Sequence, residues 1–243
     1  MSVFPECKKM KRSGFFPALL LGGLFSAMVP VLNMAFRSEL YTGQGKPPVR
    51  ILLDANWQMM AMLNILLVLV GTCILYHTEY ENHAIGKMAA LPIKRGKLFV
   101  DKFLLMAAAC IVILALEAAA VGFCSFRWFP LPEGFHGLIL ELLQNFGCFL
   151  LLMMPAVLLS LFIASVCENM WISLGIGVIC VFTATMLPSG NFALSLFPYA
   201  LLFQIPESLP AHTAGKLLLA VPIEIGAIGI AGALFANIRR RFT

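Results

Sequence analysis

The chain has 243 residues, of which 60% are hydrophobic and only 12% charged, and its mean hydropathy is +0.92. A soluble domain carries about 25% charged residues, so this composition excludes an ordinary water-soluble protein and predicts a polytopic membrane protein. The net charge of +5 is modest, and the placement of the basic residues described below accounts for it without a nucleic acid partner.

The chain opens with MSVFPECKKMKRS. Val3, Cys7 and Met10 share one helical stripe, away from most of Lys8, Lys9, Lys11 and Arg12. This suits a short helix lying on the inner membrane surface, or equally a disordered basic segment that fixes orientation. Six apolar windows follow, Phe15–Phe36, Met59–Tyr76, Phe103–Phe123, Ile139–Ala164, Met170–Leu187 and Leu217–Ala236. Each suits one crossing, because a helix rising about 1.5 Å per residue needs about 20 apolar residues to cross about 30 Å of hydrocarbon. The first window is longer than the apolar core of a signal peptide and is expected to remain as an uncleaved anchor. Long uninterrupted apolar runs also exclude the alternating pattern of a membrane β-barrel. The expected fold is therefore an all-α polytopic membrane protein, a single six-span unit covering residues 1–243.

With the N-terminus inside, twelve basic residues fall on the cytoplasmic side: Lys8, Lys9, Lys11, Arg12, Lys87, Lys94, Arg95, Lys97, Lys102, Arg239, Arg240 and Arg241. Five fall outside: Arg37, Lys46, Arg50, Arg127 and Lys216. The positive-inside rule thus predicts cytoplasmic N- and C-termini. The outer loop Arg37–Asp54, with Gly43, Gly45, Pro47 and Pro48, is expected to be irregular, and a second outer loop is expected over Cys124–Leu138. Ser165–Asn169 is expected to be a tight inner turn. In the third outer segment, Pro188–Gly215, four prolines interrupt an apolar middle, LSLFPYALLFQI. That run is too short to span and suits a re-entrant or interfacial helix pair, or a packed loop. Gly226, Gly229 and Gly232 in the last window would let another helix approach closely.

Between the second and third windows lies HTEYENHAIGKMAALPIKRGK, His77–Lys97. Tyr80, Ala84, Met88 and Leu91 recur at helical spacing and form a narrow apolar face, and Pro92 ends it. An amphipathic helix on the cytoplasmic side can lie on lipid or dock into a groove of a soluble partner. Glu79 and Glu81 weigh against the anionic inner leaflet.

Glu81-Asn82, Gly86-Lys87, Leu91-Pro92-Ile93-Lys94-Arg95 and Lys102 resemble the pattern that follows the second span in type-2 ABC transporter permeases. A Ser or Thr is common in that family where this chain has Lys94. In size and loop style the chain is most similar to the permease subunits of lantibiotic immunity transporters. The resemblance implies that the segment is a coupling helix seated in a cleft of a cytoplasmic ATPase, with Glu81, Asn82, Lys87, Leu91 and Pro92 as the coupling residues. It implies separate ABC ATPase subunits that hold ATP and Mg²⁺, and a second permease as a homodimer or sister subunit. It also implies a multi-pass location in the bacterial cytoplasmic membrane. The chain carries no GxxxxGK[ST] phosphate loop of its own, so it is expected to be no enzyme and to bind no cofactor itself.

Three carboxylates fall within or beside the apolar windows: Glu117, Glu141 and Glu224. Intramembrane acids are costly and face protein or water. At helical rise all three lie in the outer half of the membrane, where they would line a cleft for a cationic substrate, or else bond individually to neighbours. His77 and His83 are poorly aligned for a metal site, no HExxH is present, and the seven cysteines form no CxxC pair, so neither metal nor catalytic residues are expected. The expected function is the permease subunit of an exporter expelling a hydrophobic or cationic antimicrobial peptide. The alternatives are a drug, lipid or other hydrophobic-substrate exporter subunit, or a non-transporting anchor or sensor subunit.

Overall fold

In the computed structural model the described residues are 10–11, 13–42, 45–80, 95–129, 135–167, 169–187, 196–203, 221–226 and 229–230. Most of them are helical, with no strand among them. Five helices run in chain order: α1 Phe15–Tyr41, α2 Pro48–Tyr80, α3 Arg95–Trp128, α4 Phe135–Val166 and α5 Met170–Met186. A 3₁₀ turn, Ala200–Phe203, follows. α1 to α4 are each long and apolar enough to cross a membrane, whereas α5 is a shorter apolar helix. The last expected window is described only at 221–226 and 229–230, which are helical. The expected N-terminal surface helix falls on residues of which only Met10, Lys11 and Ser13 are described.

The helices overrun the expected windows, and this corrects the two long outer loops. α1 continues to Tyr41 and α2 begins at Pro48, so much of Arg37–Asp54 is helix. Proline is well placed at the start of α2, since a first-turn N–H has no intrahelical acceptor to lose. The break is marked instead at Arg37, where φ −137° and ψ 29° interrupt the helix. Likewise α3 runs to Trp128 and α4 starts at Phe135, leaving a short connection. Apolar content marks where a helix meets lipid; the helix itself stops where caps and backbone stop it. The tight turn between α4 and α5 follows the expectation: Asn169 caps α5 by accepting the Trp171 N–H at 2.9 Å.

α1 packs against α2 and α3, and α4 packs against α2, α3 and α5. The buried stripe of α1 is Phe15, Leu19, Gly23, Ser26, Ala27, Pro30 and Met34. Its opposite face exposes Leu21, Leu24, Phe25, Met28, Leu32 and Phe36. Both faces are apolar, and the middle of the packed side is lined by the small residues Gly23, Ser26 and Ala27, where close backbone approach increases van der Waals contact in a lipid setting. Gly177 of α5 shows how tight this is, because a Cβ built there would lie 2.4 Å from Leu69 Cδ2 of α2.

Candidate functional site

The polar side chains inside the bundle gather where helices meet. Glu117 on α3 is 0% exposed. Ser26 Oγ of α1 donates to its Oε1, and Asn64 Nδ2 of α2 donates to its Oε2 at 3.0 Å. Ser26 and Asn64 are themselves buried, and Asn64 Oδ1 has no hydrogen-bond partner. The spacing of Ser26 along the buried stripe of α1 and of Glu117 along α3 brings three helices to one carboxyl group. Pro30 lies four residues after Ser26 and cannot donate to its carbonyl, which loosens α1 next to this junction.

The other two acids lie elsewhere. Glu141, half-buried on α4, lines a cleft of about 480 Å³ with Gly45, Lys46, Pro48, Leu138 and Gln144. Glu224, in the helical stretch 221–226, is half-buried, and its Oε2 is enclosed without a hydrogen-bond partner. The structure therefore does not bring Glu117 and Glu141 to one wall: Glu117 is sealed among α1, α2 and α3, whereas Glu141 borders an open cleft. A separate apolar groove of about 690 Å³ runs between α3 and α4, with Leu114, Ala118, Phe123, Leu142 and Phe146 among its walls.

A second polar cluster sits at the Tyr80 end of α2. Lys102, seven residues into α3, is only 1% exposed. Its Nζ donates to the Leu75 carbonyl at 3.0 Å and lies 4.7 Å from the centre of the Tyr76 ring. The negative end of the α2 dipole and the aromatic face compensate the buried ammonium. Tyr80 reaches the other way, its hydroxyl donating to the Ser165 carbonyl in the last turn of α4 at 2.8 Å. The expected coupling residues Glu81, Asn82, Lys87, Leu91 and Pro92 lie outside the described residues, between these two fastened points in sequence.

The apolar run after α5 enters the bundle. Tyr199, Leu201 and Leu202 are fully buried. Ser160 Oγ donates to the Ala156 carbonyl at 2.7 Å, so the Tyr199 hydroxyl, 2.8 Å away, donates to Ser160. Trp57 Nε1 of α2 donates to the Leu202 carbonyl at 3.0 Å, and its ring packs edge-on against Phe149 of α4 at 4.7 Å. Ser160 is about 9 Å along α4 from its Val166 end, and Trp57 is about 14 Å along α2 from its Pro48 end. Residues 196–203 are thus anchored from both directions within the helix bundle.

Reading the sequence for charges finds Glu117, Glu141 and Glu224 but misses Ser26, Asn64, Trp57, Ser160 and Tyr199. The available signal is that each is a hydrogen-bonding side chain inside an apolar window, where such groups seek partners on neighbouring helices. Lys102, counted among the cytoplasmic charges, is also a buried contact. Among the described residues no three His, Cys, Asp or Glu side chains converge as a metal site would require.

Long apolar helices with their polar groups turned into helix contacts define a multi-pass membrane protein. The model of the ABC-2 family transporter protein matches residues 3–184, well over half the chain, and the chain belongs to that family. It is accordingly a membrane permease component of an ABC transporter, the subunit that associates with an ABC ATPase. No curated protein and no solved structure matches the chain.

Proposed function

We propose that the chain is the permease half of an ATP-driven exporter in the bacterial cytoplasmic membrane, expelling a hydrophobic or cationic antimicrobial peptide and so conferring immunity. It crosses six times with both termini inside, and it pairs with a second copy or a sister permease. The observation that carries the reading is that the stretch matched to the ABC-2 family, residues 3–184, contains the whole segment His77–Lys97 with its E-N … K … L-P order. Glu81, Asn82, Lys87, Leu91 and Pro92 would dock on the ATPase, whose ATP and Mg²⁺ supply the energy. Glu141 and Glu224 are the acids a cationic peptide meets first. Glu117 joins the path only when α1, α2 and α3 part.

The experiment is co-purification with a candidate ABC ATPase, followed by ATP turnover with and without a cationic lantibiotic peptide. Peptide stimulation is expected, with Leu91→Asp and Glu81→Lys preventing assembly. Glu117→Gln combined with Glu224→Gln is expected to lower protection against the peptide. Full protection by that double variant at native expression would overturn the acidic path, and intact assembly of the first two would overturn the docking assignment.

A further inference from the structure

α2 ends at Tyr80 and α3 begins at Arg95, with the segment 81–94 between them in sequence. Its flanks are held by more than the chain. We propose that the Tyr80 hydroxyl and the Lys102 ammonium are positioning groups that transmit displacement of this segment into α2, α3 and α4 as one body. This rests on the reading of the segment as the ATPase-docking element, and it names the contacts through which docking would act.

The argument begins with the helix ends. The last carbonyls of a helix have no intrahelical donor and are the backbone groups most open to outside partners. Ser165 is next to the final residue of α4, and the Tyr80 phenol supplies its carbonyl with a donor at 2.8 Å. The end of α2 is thereby tied to the turn from which α5 departs at Asn169. Apolar side chains between α2 and α4 resist translation weakly, because lipid solvates them equally well, and this hydrogen bond adds a directional constraint.

Lys102 performs the corresponding service on the other flank. Its Nζ donates to the Leu75 carbonyl, which Thr78 Oγ1 also approaches at 3.2 Å. A charge-assisted bond is about twice as strong as a neutral one. Here it is buried at the negative end of α2 and shielded by the Tyr76 ring. Lys102 lies seven residues past the start of α3 and Leu75 five before the end of α2, so the bond closes the two flanks of the segment at about one to two turns' depth. Basic residues at a cytoplasmic helix end ordinarily face water or headgroups. Lys102 is turned inward instead, an arrangement that orientation of the chain does not require.

The test uses the permease–ATPase complex in lipid nanodiscs, in a cysteine-free background. Spin labels are placed at Glu39→Cys and His136→Cys, both exposed and near the opposite end of the bundle. The inter-label distance distribution is compared without nucleotide and with a non-hydrolysable ATP analogue. The native complex is expected to shift on nucleotide binding. Tyr80→Phe and Lys102→Met are expected to keep stoichiometric assembly and nucleotide affinity while the shifted population falls about fivefold or more, the low end of couplings between sites. Lys102→Arg, which keeps the charge, is expected to recover part of it. A merely structural role would lower thermal stability without separating nucleotide binding from the distance change. An undiminished shift in both variants overturns the proposal. If Lys102→Met does not assemble, Tyr80→Phe, which removes one hydroxyl, decides alone. Absence of any shift in the native complex, or intact assembly with Leu91→Asp, would count against the docking reading instead.

Discussion

Asn64 of α2 donates its amide to the Glu117 carboxylate of α3 across 3.0 Å, and Ser26 of α1 donates to the other oxygen of the same group. One side chain therefore satisfies donors from two other helices in a place closed to solvent.

Removing the acceptor alone should be worse than removing the whole cluster. Glu117→Leu strands two buried donors, each costing about 1–3 kcal/mol when left unsatisfied. Thermal unfolding of the purified chain in detergent should show a clear drop in midpoint. The triple variant Ser26→Ala, Asn64→Leu, Glu117→Leu should recover much of it, because apolar replacements on all sides leave nothing unpaired. An additive triple variant, with losses simply summing, would show that the three residues do not act as a unit.

Trp57 holds the turn at Ala200–Phe203 through its indole N–H on the Leu202 carbonyl. Trp57→Phe should cost about 0.5–1.5 kcal/mol for the bond and more for the lost ring area. Hydrogen exchange should rise specifically in residues 199–203. Exchange there equal to the native chain would mean that packing alone holds the turn.

Tyr199→Phe should cost only about 1 kcal/mol, since Ser160 keeps its bond to the Ala156 carbonyl. Tyr199→Ala should cost about 3–5 kcal/mol by opening a cavity the size of the ring. The ratio of these two losses, read from thermal midpoints, separates the hydroxyl from the ring.

Gly177→Ala should destabilise by about 1–3 kcal/mol, because the new methyl group meets Leu69, which is only 2% exposed and has little room to move. Leu69→Ala should be damaging alone yet partly rescue Gly177→Ala. Failure of the pair to compensate would place the cost of Gly177→Ala elsewhere than at Leu69.

The helical class and the membrane setting were legible because a chain with so few charges has nowhere but lipid to place several apolar runs of about 20 residues. The tight turn at Ser165–Asn169 was legible, and the structure adds its local cause: the short polar side chain of Asn169 accepts a free N–H group at a helix start. The ends of α1, α2 and α3 were not, because a helix continues past the apolar boundary wherever Tyr41 or Trp128 can still extend it. The three acids stood out in the sequence, but the partners of Glu117 come from Ser26 and Asn64, residues 91 and 53 positions away. No local spacing links positions that distant. The burial of Lys102 was not legible for a similar reason, since its site is made by the end of another helix.

α5 has 17 residues, Met170–Met186, and closes where Leu187 turns extended at ψ 129°. At helical rise it measures about 25 Å, some 5 Å less than a typical hydrocarbon layer. Its outer row, Ile172, Ile176, Ile179, Phe182 and Met186, is apolar and exposed. A helix shorter than the hydrocarbon layer is met by local thinning of the bilayer, by snorkelling of its flanking residues or by association with another helix.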